Sequence, residues 1–368
     1  MKKLLLSILT ALFIVSAPLF AFEWGGLITD TTGITTPDFS AITFNQSNGI
    51  SLWFNSPLGE DASFSISGEG LYKFNFTKPD GADGIITHIV DVPLLKLSGD
   101  IDTGSGIITL NAGRFSYVDG AGAVYVNTID GASVDFAFPL VKAGFVAGYT
   151  GLLNALNVGL PAKKADAKFY SMAYAYAPVG AYVEFPSLFA NQSLTIQGYA
   201  VLDLGGGKTN SYYGNVILGG PITNSIFYSL ASSFGSVDFK NLMNYSALTI
   251  IAFPTETLSL NLGAEFGSAD NQGPFSAFTS IASPASSKIA PKAGLTFATS
   301  NFSFDLSGKY NLAYDGSSYK GADAEVSTGI VYNVFSDFQI GLNFKATINP
   351  KVSALNNYVA NLNVALAF

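Results

Sequence analysis

From Tyr358 to the C-terminus, apolar side chains recur at every second position: Tyr358, Ala360, Leu362, Val364, Leu366 and Phe368. Val359, Asn361, Asn363, Ala365 and Ala367 fall between them, mostly small or polar. A period of two sends the two sets to opposite faces of a β-strand. Phe302, Phe304, Leu306, Tyr310 and Leu312 repeat the pattern against Ser303, Asp305, Ser307, Lys309 and Asn311. It returns at Phe338–Ile348, at Leu258–Phe266 and at Phe64–Phe76. In most of these segments the apolar face is large and aromatic, which is more apolar surface than a single core uses. A wall with one face on hydrocarbon and the other on water accounts for it.

The connections alternate in length. Tight turns are predicted near Ser56–Gly59, Asp100–Ser105, Phe138–Leu140, Pro186–Gln192, Gly219–Pro221, Phe253–Thr255, Thr299–Asn301 and Phe335–Asp337. Longer Gly-, Asp-, Ser- and Asn-rich stretches lie between them, including Lys78–Gly84, Tyr117–Thr128, Gly151–Ala167 and Gly267–Ser287. Gly, Pro, Asn and Asp end strands for distinct backbone reasons. With Phe22–Thr29 as the first strand, eight tight turns and nine long loops give about 18 strands, with an accepted range of 14–18. Treating the N-terminal segment as a lead or lumen plug gives sixteen or seventeen instead. The predicted fold is all-β, a single up-and-down antiparallel transmembrane barrel over 22–368.

Composition narrows the setting. Charged residues make up 12% of the chain, hydrophobic ones 48% and aromatics 14%, with a mean hydropathy of +0.34. Soluble domains carry about 25% charged residues. After Val15, however, no apolar run approaches the roughly 20 residues of a membrane helix, so the apolar side chains are dispersed along strands. Lys2 and Lys3, the apolar Leu4–Val15 and the small-residue Ser16–Ala21 read as a secretory signal peptide, residues 1–21, cut after Ala21. The formal charge of −8 argues against a nucleic-acid partner and suits a cation-tolerant pore.

Catalytic chemistry has little to work with. The chain holds one histidine, His88, and no cysteine, so neither a triad nor a thiolate or histidine metal site can be assembled, and no cofactor is expected. Asp80–Gly84 reads as a solvated turn, and Gly205–Thr209 lacks the spacing of a phosphate loop. The charged positions say more. Glu69, Lys73, Glu265, Asp305, Lys309, Asp323, Glu325 and Lys345 all fall in the polar register of predicted strands. Lys or Arg facing lipid at mid-depth costs about 2–4 kcal/mol, so these residues are expected to face the lumen. There they either pair across neighbouring strands or line water. A barrel of sixteen or eighteen strands is too wide for side chains to fill, which favours water.

Arg114, the single arginine, lies in Asn111–Phe115 at the end of the fifth predicted strand. Gly113-Arg114, followed by Tyr117–Asp130 with Asp119 and Gly120, resembles porins, in which a Gly-Arg pair precedes a third loop folded into the lumen. The resemblance implies a pore with Arg114 and Asp119 near its narrowest point. Arg114 shares parity with Ile108, Leu110 and Ala112, so a bulge or a rim position is required. The Phe22–Gly26 start and the cysteine-free composition look like outer-membrane barrels of spirochaetes. The terminal Tyr358, Leu362, Val364, Leu366 and Phe368 resemble the signal read by the barrel-assembly machinery of bacteria with two membranes.

These features together predict a protein of the bacterial outer membrane that lets small hydrophilic solutes or ions diffuse, with lipid and the assembly machinery as partners. The resemblance to porins leaves a homo-oligomer open. Two rivals remain: a surface barrel acting as an adhesin or structural protein, and a fatty-acid-type transporter, for which Thr31–Asn48 would be a short plug.

Overall fold

The computed structural model describes residues 22–368 apart from 38, 40, 60–62, 123–124, 155, 159–174, 206–209, 238, 240, 268–286, 316–317 and 353–354. The predicted signal peptide, most of Gly151–Ala167 and Gly267–Ser287, and most of Gly205–Thr209 lie outside the described residues.

Eighteen antiparallel strands follow one another in chain order and close on themselves. The first, β1 (Glu23–Thr36), pairs on one side with β2 (Thr43–Leu58) and on the other with the last, β18 (Asn357–Ala367). Closure pairs the backbone groups that a sheet edge would leave open, which a wall in hydrocarbon requires. The closing ladder reaches the last residue, where Gly26 and Phe368 exchange backbone hydrogen bonds of 2.8 and 3.0 Å. Gly26 leaves room for the Phe368 ring, which a Cβ there would meet at 2.3 Å and have to displace. Since β1 and β2 are both wall strands, Thr31–Asn48 forms no lumen plug among its described residues, and the sixteen- and seventeen-strand variants fall away.

The tight turns gather at one end and the longer loops at the other. One predicted turn needs correction: Gly219–Pro221 stays within β10 (Ser211–Thr223), and the chain turns after Thr223. The turn predicted at Pro186–Gln192 falls at Ala190-Asn191, after β8 (Tyr176–Phe189) has run through Pro186. In both strands the pairing slips beside the proline. Proline lacks a ladder N–H, so it is accommodated at a bulge near a strand end, and it marks that slip here. Ala190 and Asn191 supply the left-handed pair that a two-residue hairpin turn needs, with φ of 46° and 59°.

The ladder separates the faces. Ile34, Leu262, Leu342 and Leu362 share the outer face and remain 42, 59, 54 and 41% exposed. A soluble monomer rarely shows a continuous apolar band of this kind, whereas lipid solvates one readily. A proline-centred bulge resets this parity. Between Glu69 and Leu71 the ladder slips around Pro93 in β4 (Ile85–Asp102). The even-numbered His88 therefore points outward while the even-numbered Lys96 shares the inner face with Ser67.

Candidate functional site: an inward loop and a charged inner wall

The third long loop, 119–125, joins β5 (Ile107–Val118) to β6 (Val126–Ala137) and turns into the barrel. It docks on the inner face of β9 (Gln192–Asp203) and β10. Asp119 organises it. One carboxylate oxygen accepts the Tyr125 N–H at 2.7 Å; the other accepts the Ala121 N–H at 3.1 Å and the Asn215 amide at 2.8 Å. The Gly120 N–H donates to Gln197 Oε1 at 3.0 Å. Tyr117, Tyr125 and Tyr199 pack beneath the loop, with ring centroids 5.9–6.4 Å apart. Burial pushes the Tyr125 phenol up, so it stays neutral. Asp119 is almost fully buried, and its three donors offset the desolvation of its charge.

A second inward contact follows β7 (Lys142–Tyr149). The ladder joining β4 to β5 ends at Leu95–Arg114; beyond it β4 pairs only with β3 (Phe64–Lys78), and β5 only with β6. Residues of the segment after β7 bridge this parting: Asn154 donates to the Val90 carbonyl at 3.0 Å, and Asn157 donates to Asp91. Lys73 donates to Asn157 Oδ1 at 3.2 Å, tying the segment to the inner face of β3.

Arg114 holds the seam. Gly113 takes φ +119°, and Arg114 keeps the outward ladder position opposite Leu95 and Asp130. Its guanidinium grips the Asp130 carboxylate bidentately at 2.6 and 2.7 Å and donates to the carbonyls of Val92 and Leu152 at 3.3 and 3.0 Å. The planar fork matches the carboxylate, which a lysine could not do. A weaker contact of 3.9 Å reaches Asp91. Arg114 and Asp119 thus belong to the same pair of strands but engage different neighbours, the seam and the inner wall respectively.

The other candidate residues all occupy inner-face positions of the ladder. Glu265 on β13 (Leu258–Gly267) receives Lys292 and Lys309 at 3.1 and 2.7 Å, bridging three strands. Glu325 receives Lys345 at 3.0 Å and, with Asp323, the Asn311 amide. Asp305 stands opposite Gly329 and Thr296, and Glu69 opposite Trp53 and Leu94. A separate group on β6–β8 pairs Lys142 with Glu184 at 3.0 Å and Tyr182 with Asp135 at 2.8 Å.

Sequence reasoning missed Gln197, Tyr199 and Asn215, the wall's side of the loop contact. A signal did exist for Tyr199, Tyr213 and Tyr245: large aromatics standing in the small, polar register of their strands. Gln197 and Asn215 carried none, because any inward position of a wet barrel can be an amide.

A closed eighteen-stranded barrel with a loop turned into its lumen is a porin-type fold. No protein-family model and no curated protein matches the sequence. Solved structures do match in fold. Pseudomonas aeruginosa OccK7 (OpdD) superposes with a TM-score of 0.64 at 12% identity, covering 94% of this chain and 98% of that one. P. aeruginosa OpdK, crystallised with vanillate, gives 0.61 at 10% identity, covering 94% and 98%. The P. aeruginosa outer membrane protein OprD gives 0.61 at 10% identity, covering 94% and 93%.

Proposed function

We propose that this chain is a channel of the bacterial outer membrane through which small hydrophilic solutes and ions diffuse, with a preference for cations. The observation that carries this reading is the docking of loop 119–125 on the inner face of the wall, at Gln197 and Asn215. A loop held inside a barrel too wide for its own side chains narrows a water-filled passage without closing it. The inner face also carries acids held by neutral donors: Glu265 takes two lysines, but Asp323 accepts from the Asn311 amide and Asp135 from the Tyr182 hydroxyl. Their charge is retained inside the passage, which favours cations. The vanillate in OpdK supports a reading in which a barrel of this fold admits a small organic solute.

On the same reading, residues 1–21 are a signal peptide removed on export, and Tyr358, Leu362, Val364, Leu366 and Phe368 guide assembly of the last strand. The lumen residues Glu69, Lys73, Asp305, Lys309, Glu325 and Lys345 set the field along the passage.

Planar-bilayer recording of the purified, refolded protein tests the proposal. Stable conductance steps are expected, with a reversal potential in a salt gradient on the cation side. Absence of steps, together with binding of host matrix to the loops, would replace the channel by an adhesin.

A further inference from the structure

Toward the loop end the wall parts. Leu95–Asp102 of β4 pair with β5, but no ladder joins Ile85–Leu94 of β4 to Phe115–Val118 of β5. Ile108 lies beside the tight turn, opposite Ile101. From there roughly six residues at about 3.3 Å each carry a tilted strand to Arg114, so the parting opens inside a hydrocarbon belt about 25 Å tall. A wall in hydrocarbon must satisfy its backbone groups, and here a segment from the lumen takes the place of the missing ladder. Asn154 bonds the Val90 carbonyl, Asn157 bonds Asp91, and Arg114 bonds the carbonyls of Val92 and Leu152. Each of these bonds has a side chain at one end. Thr150, Leu153 and Asn154 are almost wholly buried.

Apolar surface lies on both sides of this seal. On the lumen side Leu94 and Tyr117, which border the parting, pack against the cluster that holds Phe115, Ile129 and Val146. On the lipid side the outer wall carries a hollow of about 620 Å³. Its floor is a cross-strand row of small residues, Ala112, Ala132 and Ala147, walled by Leu97, Leu110 and Phe145. That row is one ladder step from Arg114 and Asp130, so the hollow begins where the parting begins. A pore for hydrophilic solutes makes no use of apolar surface on both faces of one strand junction.

We propose that the parting between β4 and β5 is a lateral portal through which small uncharged apolar molecules pass from the lumen into the bilayer. The segment carrying Leu152, Asn154 and Asn157 is its seal. Opening exchanges side-chain bonds and leaves the strand ladders on either side intact. An apolar molecule then moves from the surface at Leu94 and Tyr117 to the alanine-floored hollow, with apolar contact at both ends of the step. The route selects against charge. An ionised group would meet Arg114 and Asp130 already bonded to each other, and beyond them only hydrocarbon. This lateral route is separate from the axial passage for hydrophilic solutes.

Entry of N-phenylnaphthylamine, an uncharged dye that fluoresces on reaching hydrocarbon, tests the portal in bacterial cells that display the barrel. Entry several-fold faster than in cells without the barrel is expected. The chain has no cysteine, so Asp91→Cys/Asn157→Cys supplies a single disulfide that ties the seal to β4. Forming it should slow the dye to the background rate, and a reductant should restore entry. Ala132→Phe fills the hollow from outside and touches no bond of the seal. It should slow the dye likewise while conductance steps persist, in a barrel whose folding is scored by heat-shifted gel mobility. This variant decides the matter should the disulfide not form. Dye entry no faster than in cells without the barrel, or unaltered by Ala132→Phe, would overturn the portal. Loss of conductance steps in wild type would count against the axial channel instead.

Discussion

The Asn215 side chain donates to Asp119 at 2.8 Å across 96 positions of sequence. This bond joins a loop between β5 and β6 to the inner wall at β10, a strand with which neither β5 nor β6 pairs. It turns a long connection into a part of the lumen.

Asp119→Ala should therefore release loop 119–125. The Tyr125 and Ala121 N–H groups and the Asn215 amide lose their shared acceptor, and hydrogen bonds to a charged group contribute about 1.5–3 kcal/mol each. Single-channel recording should show larger and noisier steps, with Asn215→Leu producing a weaker version of the same change. Identical conductance in both variants would remove the loop from the passage.

Arg114→Ala is expected to act on the seam before it acts on selectivity. Asp130 and Asp91 would lose their shared cation, and the Val92 and Leu152 carbonyls would lose a donor. Breaking a buried pair costs at most roughly 3–5 kcal/mol, and the partial exposure of Asp130 lowers that figure. A lower thermal transition with little change in reversal potential is expected; a large selectivity change at unaltered stability would instead place Arg114 in the constriction.

Glu265→Gln removes the carboxylate shared by Lys292 and Lys309 and leaves both cations in the lumen. The reversal potential should move toward anions, and Lys345→Ala should move it the other way. Shifts of the same sign in both variants would show that these charges do not set the field.

The assignment of faces can be checked with adjacent residues of one strand. Leu342→Lys places a cation against hydrocarbon at a cost of about 2–4 kcal/mol, whereas Asn343→Lys places it in the lumen. Folding yield should fall for the first substitution and hold for the second.

Most of the architecture was legible along the chain. Alternation named the outward residues of β3, β13, β15 (Phe302–Asp315), β17 (Phe338–Ile348) and β18, and turn chemistry set the strand number, because both follow from two-residue geometry and single-residue backbone preferences. Register faults were harder to read. Pro93 inverts the parity of β4, and Pro221 displaces its turn, since proline signals an interrupted ladder without saying how the partner strand absorbs it.

What the sequence determined alone is the periodic wall: which side chains meet hydrocarbon and which meet water. Tertiary structure decided the grip of Asn215 on Asp119, the clasp of Arg114 on Asp130, and the gathering of Asp30, Gln46 and Asn48 on the outer surface. A strand repeats every two residues and so announces its faces locally. Which two polar groups share a hydrogen bond depends on barrel closure and strand stagger, and no short stretch of chain encodes those.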